Sequence, residues 1–190
     1  MNIGELKSKT IQIIREYSNN GELIGSGDNK DYLLSIPGAL SDAQIEISKI
    51  RPVYKQIILL EPDTVSAKYK RFKKPDKFKQ IESITLNDEM LYDYSEDINN
   101  ILIPKEYSGE IILTYEKIPD TFSSDVSEDY ELEIDEDVQF ITAYKAASVV
   151  YIDDQSEWAI HFLNEYKRLL SNIDIKKKKS NPQIVCYYTP

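Results

Sequence analysis

Apolar positions recur at helical spacing through the last third of the chain. From Val138 to Ile152 nearly every turn is apolar on more than one side, which predicts a helix in the middle of a bundle. Asp135 is placed to be its N-cap, with Glu136 and Asp137 in the first turn. A second helix follows, with an apolar stripe at Trp158, Phe162, Tyr166, Leu169 and Ile173. The pattern predicts a helical hairpin with an architectural role.

The first fifty residues show the same period. Residues 3–18 predict a helix that ends at Asn19-Asn20-Gly21. The loop after it contains Gly25-Ser26-Gly27 but no phosphate-binding glycine motif, so it is predicted to be a connection. Residues 29–50 predict a second helix, in which Pro37 and Gly38 are expected to cause a kink or a restart.

Between Tyr54 and Pro119 the helical period is replaced by short runs rich in Ile, Leu, Tyr and Thr. Turn signals separate six such runs: KQIILL, AKYKRF, IESITL, MLYDY, NILIP and EIILTYEKI. These six predicted strands indicate a small antiparallel β-sandwich or barrel. The predicted fold is α+β, a helical bundle with an inserted β module. The expected divisions are 1–53 plus 130–173 for the bundle, 54–129 for the β module and an acidic loop, and 174–190 for an extended C-terminal tail.

Composition limits the choices further. A chain of 190 residues with 41% hydrophobic and 29% charged residues is typical of one soluble globular domain, or one with an insert. No apolar run is long enough to span a bilayer, and the first residues lack a signal-peptide pattern, so we expect synthesis in the cytoplasm and no membrane contact. Cys186 is the only cysteine, which excludes an intrachain disulfide and a cysteine-based zinc site.

The net charge of −10 is spread unevenly along the chain. Residues 51–80 hold 9 basic and 3 acidic residues (net +6), and residues 81–140 hold 2 basic and 18 acidic residues (net −16). Residues 173–190 hold 4 basic and 1 acidic residue (net +3). This uneven distribution of charge suits contacts between the basic region of one copy and the acidic region of another, or binding to a charged partner. A solvated surface that keeps an acidic protein soluble is an equal alternative.

Candidate chemistry is sparse. His161 has Glu157 and Glu165 four residues to either side, a spacing more typical of surface pairs than of a metal site, and one histidine offers no catalytic triad. The acidic run 128–137 lacks the spacing of a calcium loop, and its alternation of Leu132 and Ile134 with acidic residues favours a short edge segment before a helix cap. No carboxylate pair is singled out for hydrolysis. We therefore expect no enzymatic activity, metal or cofactor.

One basic stretch is interleaved with Tyr69, Phe72 and Phe78. Its cations are Lys68, Lys70, Arg71, Lys73, Lys74, Lys77 and Lys79. A groove for single-stranded nucleic acid has this composition. So does a strand pair with cations outward and aromatic rings inward, turning at Pro75-Asp76. A pI near 4.7 makes dedicated nucleic-acid binding the lesser reading.

Several segments together resemble the head–tail connector (adaptor) proteins of tailed bacteriophages. The matching patterns are Pro75–Phe78 (P-D-x-F), Tyr115–Pro119, Leu132–Asp137, Ala146–Tyr151 and Tyr166–Leu170, with residues 31–47 similar to the family's N-terminal helical segment. The resemblance covers most of the chain as a pattern. It implies a non-enzymatic virion protein of the neck, a ring (usually a dodecamer) beneath the portal, with DNA passing through its channel without specific binding.

The resemblance also implies partners. The helices would face the portal protein, and the β module would face the next neck or tail-completion protein. The C-terminal tail would insert into the portal through Ile184, Val185, Tyr187 and Tyr188, with Lys176, Lys177, Lys178 and Lys179 meeting an acidic portal surface. The basic stretch would line the channel or a subunit contact. The alternative is a phage or cell-surface module whose β insert binds a carbohydrate or a protein without enzymatic activity.

Overall fold

A computed structural model describes residues 1–14, 30–152 and 156–179, with backbone only for 30–31 and 174–179. Within these residues the helices are α1 (Ile3–Ile14), α2 (Lys30–Ile50), α3 (Glu136–Gln139), α4 (Thr142–Val150) and α5 (Ser156–Lys179). The strands are β1 (Val53–Ile58), β2 (Thr64–Val65), β3 (Tyr69–Lys73), β4 (Phe78–Leu86), β5 (Glu89–Met90), β6 (Ser95–Glu96), β7 (Asn100–Pro104) and β8 (Ile111–Lys117). The chain divides into a β unit, Pro52–Pro119, and a helical unit made of the described residues on either side of it.

The described part of the β unit forms two four-stranded sheets in the orders β1-β8-β4-β5 and β2-β3-β7-β6. Every pairing is antiparallel, and the sheets share one core. That core contains Leu59, Phe72, Ile84, Leu91, Ile101, Ile103, Ile111, Leu113 and Tyr115. The predicted α+β fold with antiparallel sheets is therefore confirmed. The MLYDY run differs from its prediction, because residues 91–94 are not in a strand.

A two-residue turn joins β4 to β5. Asn87 and Asp88 both have positive φ, 49° and 68°, as hairpin turns of this length require. The Asn87 side chain accepts the Glu110 N–H at 3.0 Å. Gly109 lies beside it with φ +140°, and a Cβ there would collide with the Asn87 side chain. This turn therefore needs glycine at position 109.

In the helical unit, α4 is the central element. It packs against α1, α2 and α5, and its buried face carries small residues such as Ala143, Ala146 and Ala147. The prediction of a central buried helix is confirmed, but the helix is shorter than expected. A separate single turn, α3, precedes it, and Phe140 and Ile141 lie between the two.

Two expectations for the helices differ from the structure. The helix α2 continues through Pro37 without a restart, because its buried face (Ile36, Leu40 and Ile47) packs on α4 and outweighs the lost backbone hydrogen bond. The last helix continues to Lys179, beyond the predicted end at Ile173. The predicted end of the first helix and the loop after it lie outside the described residues.

Residues 120–129, grouped with the β module in the prediction, belong to the helical unit. Gln44 on α2 donates from Nε2 to the Asp120 carbonyl at 3.1 Å, and Ser41 Oγ accepts the Phe122 N–H at 3.1 Å. The Phe122 ring also packs on Tyr130, with centroids 5.1 Å apart. Backbone hydrogen bonds to α2 side chains thus fix this apolar-poor loop.

Candidate interaction surfaces

The basic stretch runs through β3, a turn and the start of β4, but the two strands are in different sheets. The predicted strand pair is therefore wrong: β3 pairs with β2 and β7. The inward position of the aromatic rings is confirmed for Phe72, which is buried, and for Phe78, whose ring stacks on Tyr115 at 5.7 Å. Tyr69 is 37% exposed instead.

Three of the basic side chains hold the β unit together. Lys74 Nζ lies 3.0 Å from Glu96 and donates to the Asp97 carbonyl at 2.8 Å. Lys79 Nζ lies 2.5 Å from Glu116. Lys70 donates to the Tyr107 carbonyl. These lysines are already engaged, which weakens the interpretation of the stretch as a continuous phosphate-binding groove.

The other cations of the stretch, Lys68, Arg71, Lys73 and Lys77, are exposed. Lys77 has a φ of 57° in the turn. A groove of about 590 Å³ lies beside this turn and is lined by Lys73, Lys74, Lys77 and Lys79 together with Glu96. The stretch is therefore a mixed surface, in which the lysines that hold the β unit together alternate with more exposed cations.

A buried carboxylate lies on the outer face of the first sheet. Glu116, with 3% of its side chain exposed, accepts hydrogen bonds from Lys79 and from Gln80 Nε2 at 2.8 Å. Tyr54 lies opposite Glu116 on β1. Burial raises the pKa of Tyr54, and the carboxylates of Glu82 and Glu116 raise it further.

The acidic segment 128–137 docks against the start of α1. Asn2 and Glu5 form a capping box: Asn2 Oδ1 accepts the Glu5 N–H at 2.8 Å, and Glu5 Oε2 accepts the Asn2 N–H at 3.0 Å. The first helical N–H groups donate to the carbonyls of Tyr130 and Glu128 at 2.9 and 3.0 Å. Residue 131 also bridges to Asn2. Residues 128–137 form no strand beyond this one bridge, so the predicted short edge segment is borne out only at residue 131.

Asp135 occupies the N-cap position of α3, as predicted, but its side chain makes no capping hydrogen bond. It lies 3.2 Å from Arg51 instead, and Asp137 accepts from Arg51 Nη1 at 2.7 and 2.8 Å. The hydrogen bond to Asp137 raises the pKa of Arg51. These ion pairs tie the end of α2 to the start of α3.

His161 is exposed, with its ring edge-on to Trp158 at 5.8 Å. Glu165 pairs with Arg168 at 2.8 Å, and this hydrogen bond lowers the pKa of Glu165. In the described part of the chain, no group of three or more His, Cys, Asp or Glu side chains is arranged to hold a metal ion.

Large apolar side chains are exposed on the helical unit. Ile152, Trp158 and Ile160 are 63%, 53% and 59% exposed. Trp158 stacks on Phe162 of the predicted apolar stripe, with ring centroids 6.1 Å apart, but it is not buried. A groove of about 260 Å³ runs between α4 and α5 and is lined by Val149, Ile152, Ala159, Ile160 and Leu163. This face is apolar, although it is open to solvent.

The predicted tail contacts are only partly covered by the structure. Lys176, Lys177, Lys178 and Lys179 belong to the last turns of α5, where the backbone alone is described. Ile184, Val185, Tyr187 and Tyr188 lie outside the described residues.

Sequence reasoning missed the two buried glutamines that fix the acidic segment. Gln44, fully buried, accepts the Glu133 N–H at 2.7 Å and donates to the Asp120 carbonyl. Gln139 donates to the carbonyls of Leu132 and Ile134 at 3.2 and 2.9 Å. A signal for Gln44 was present, because it falls at helical spacing between Leu40 and Ile47 on the apolar face of α2.

A scan against protein-family models and a search of curated protein sequences found no match to this chain. Among the described helices, none combines the length and the apolar character that crossing a bilayer requires.

Proposed function

We propose that this protein is a structural component of a tailed-phage virion, a head–tail connector that forms a ring beneath the portal. Its helical unit faces the portal, and its β unit contacts the next neck or tail-completion protein. The C-terminal tail docks into the portal, and DNA passes through the ring without sequence-specific contact.

One observation carries this proposal: the order in which the helices and strands follow one another along the chain. Helices from both sides of the insert form one unit, and the intervening residues form a separate antiparallel sandwich. The motif resemblance implies the same order. The exposed apolar face of α4 and α5, with Trp158 and Ile160, gives the helical unit a surface suited to protein contacts.

The test uses the portal protein encoded in the same genome as this chain. Purified full-length protein is mixed with portal rings, and the complex is measured by sedimentation and imaged by electron microscopy. A chain ending at Lys179 keeps α5 and removes only residues 180–190. A full-length Tyr187→Ser/Tyr188→Ser variant tests the tail without truncation. The matched control is Tyr92→Ser, because Tyr92 is 80% exposed on the β unit.

We expect the full-length protein and the control to decorate portal rings. Both tail variants should bind at least about tenfold more weakly, a loss of about 1.4 kcal/mol. A ring that forms only on the portal agrees with the proposal, because a template can stabilise weak subunit contacts. A protein that stays monomeric and leaves the portal bare contradicts it. Binding of a glycan or protein by the β unit, with no effect of the tail variants, would favour the alternative function.

A further inference from the structure

The strand β1 is an edge strand with unused backbone groups. Its only strand partner among the described residues is β8. Leu59 N–H donates to the Ile111 carbonyl at 2.8 Å. Counting back from Leu59, every second residue of β1 therefore forms a hydrogen-bonded pair with β8, and the residues between them do not. The backbone groups of Tyr54, Gln56 and Ile58 therefore point away from β8. No backbone hydrogen bond to these groups is found in the described part of the chain.

The edges of the described sheets differ in length. The strands β2, β5 and β6 have two residues each, and very short edge strands are one way in which proteins prevent sheet-to-sheet association. The strand β1 has six residues. It is therefore the longest of the four outermost strands of the described sheets.

The side chains of this edge are also suited to pairing. Tyr54, Gln56 and Ile58 lie opposite Glu116, Thr114 and Ile112, which alternate with the core residues of β8 and so face outward. Tyr54 is 48% exposed and Ile58 is 49% exposed. Lys55 is the only charged residue on β1. An exposed edge with an aromatic and a β-branched residue favours strand addition.

We propose that β1 pairs with β1 of a second copy in antiparallel orientation, about a two-fold axis at Gln56. In this register the three residues whose backbone groups point away from β8 all pair with residues of β1 in the second copy. Tyr54 lies opposite Ile58 of the second copy, a favourable aromatic–β-branched pair, and Lys55 lies opposite Ile57. A register centred on Lys55 would place two lysines opposite each other. Pairing of all three residues within the strand, together with the separation of the two lysines, therefore favours the Gln56-centred register.

The pairing goes beyond the connector function proposed above. A two-fold contact uses the same patch on both copies, so the assembly is complete as a dimer and this contact alone cannot build a ring. It joins the sheet β1-β8-β4-β5 of each copy into one continuous sheet in the free protein. The β1 contact and portal binding can consequently fail independently.

Disulfide cross-linking tests the register. In a Cys186→Ser background, Gln56→Cys is compared with Thr114→Cys. The two residues are neighbours on the outer face, and each variant removes the same hydrogen bond between Gln56 Nε2 and Thr114 Oγ1, 3.1 Å long. In the proposed dimer the Cα atoms of the two copies of residue 56 are about 5.5 Å apart, within disulfide range. The two copies of residue 114 are three strand spacings apart, about 14 Å.

We expect a reducible dimer from Gln56→Cys and at least tenfold less from Thr114→Cys under the same mild oxidation. Equal cross-linking of the two variants, or none from Gln56→Cys, overturns the proposal.

Sedimentation velocity provides a second measurement without cysteines. The unmodified chain should dimerise with increasing concentration, and Ile58→Lys should abolish the dimer. The control Ile160→Lys changes a similarly exposed residue on the helical unit and should have no effect. A chain that is monomeric at every concentration contradicts the proposal. So does a dimer that Ile160→Lys removes and Ile58→Lys leaves intact.

Discussion

Replacing Gln44 with methionine should strongly destabilise the helical unit. Methionine has nearly the volume of glutamine, so the change removes hydrogen bonds without opening a cavity. Gln44 is fully buried and bonds the Asp120 carbonyl at 3.1 Å and the Glu133 N–H at 2.7 Å. The two hydrogen bonds are partly buried and each is worth about 0.5–1.5 kcal/mol, so we expect a loss of about 1–3 kcal/mol.

Urea unfolding followed by Trp158 fluorescence measures this loss, because the only tryptophan of the chain lies in the helical unit. The matched control is Gln12→Met, the same substitution at an exposed position of α1, which should stay within about 0.5 kcal/mol of the unmodified protein. If Gln44→Met is no less stable than this control, the two hydrogen bonds do not hold residues 120–134 on α2, and the reasoning fails.

Two further predictions concern single contacts. Burial and the 2.8 Å hydrogen bond to Glu46 raise the pKa of Tyr166, so the folded state retains the phenolic proton more strongly than the unfolded state. This stabilisation is complete below about pH 10 and is lost as the pH rises further. The urea midpoints of Tyr166→Phe and of the unmodified protein should therefore converge at high pH. A difference between the two midpoints that stays constant with pH would contradict this reasoning. Gly109→Ala should lose about 1–3 kcal/mol in thermal unfolding, because of its φ of +140° and the collision with Asn87. The control Gly38→Ala, with open space at its Cβ inside α2, should instead gain about 0.5–1 kcal/mol; equal effects would refute the argument.

Periodicity predicted the fold class because both units bury one apolar face of each main element. The alternation of Leu132 and Ile134 with acidic residues corresponds to buried and more exposed positions in the structure. The apolar positions on more than one side of residues 138–152 likewise predicted the central position of α4, which packs against three helices. These signals are local, so they can be read from neighbouring residues alone.

Features that depend on distant residues were not predictable in the same way. The β3–β4 turn resembles a hairpin in sequence, but each strand finds its partners elsewhere, β3 with β7 and β4 with β8. The polar loop 120–129 carries few apolar residues, and its attachment depends on Gln44 and Ser41, about eighty residues earlier. The exposure of Trp158 depends on which face of α5 meets α4, and the spacing of its apolar residues does not distinguish that face from its neighbour.

The charge runs of the sequence have a different meaning once the chain is folded. The positive run 51–80 and the negative run 81–140 partly neutralise each other inside each unit, through Lys74–Glu96 and Lys79–Glu116 in the β unit and through Arg51 with Asp135 and Asp137 in the helical unit. The β unit as a whole holds 10 basic and 12 acidic residues, a net charge of only −2.

Residues 120–137, by contrast, hold 9 acidic and no basic residues, and most of these carboxylates are exposed on the helical unit. Phosphates of a passing duplex are repelled by such a surface, whereas free lysines would bind them by counterion release. In the proposed connector ring, residues 120–137 should therefore lie nearer the DNA channel than the basic stretch at 68–79.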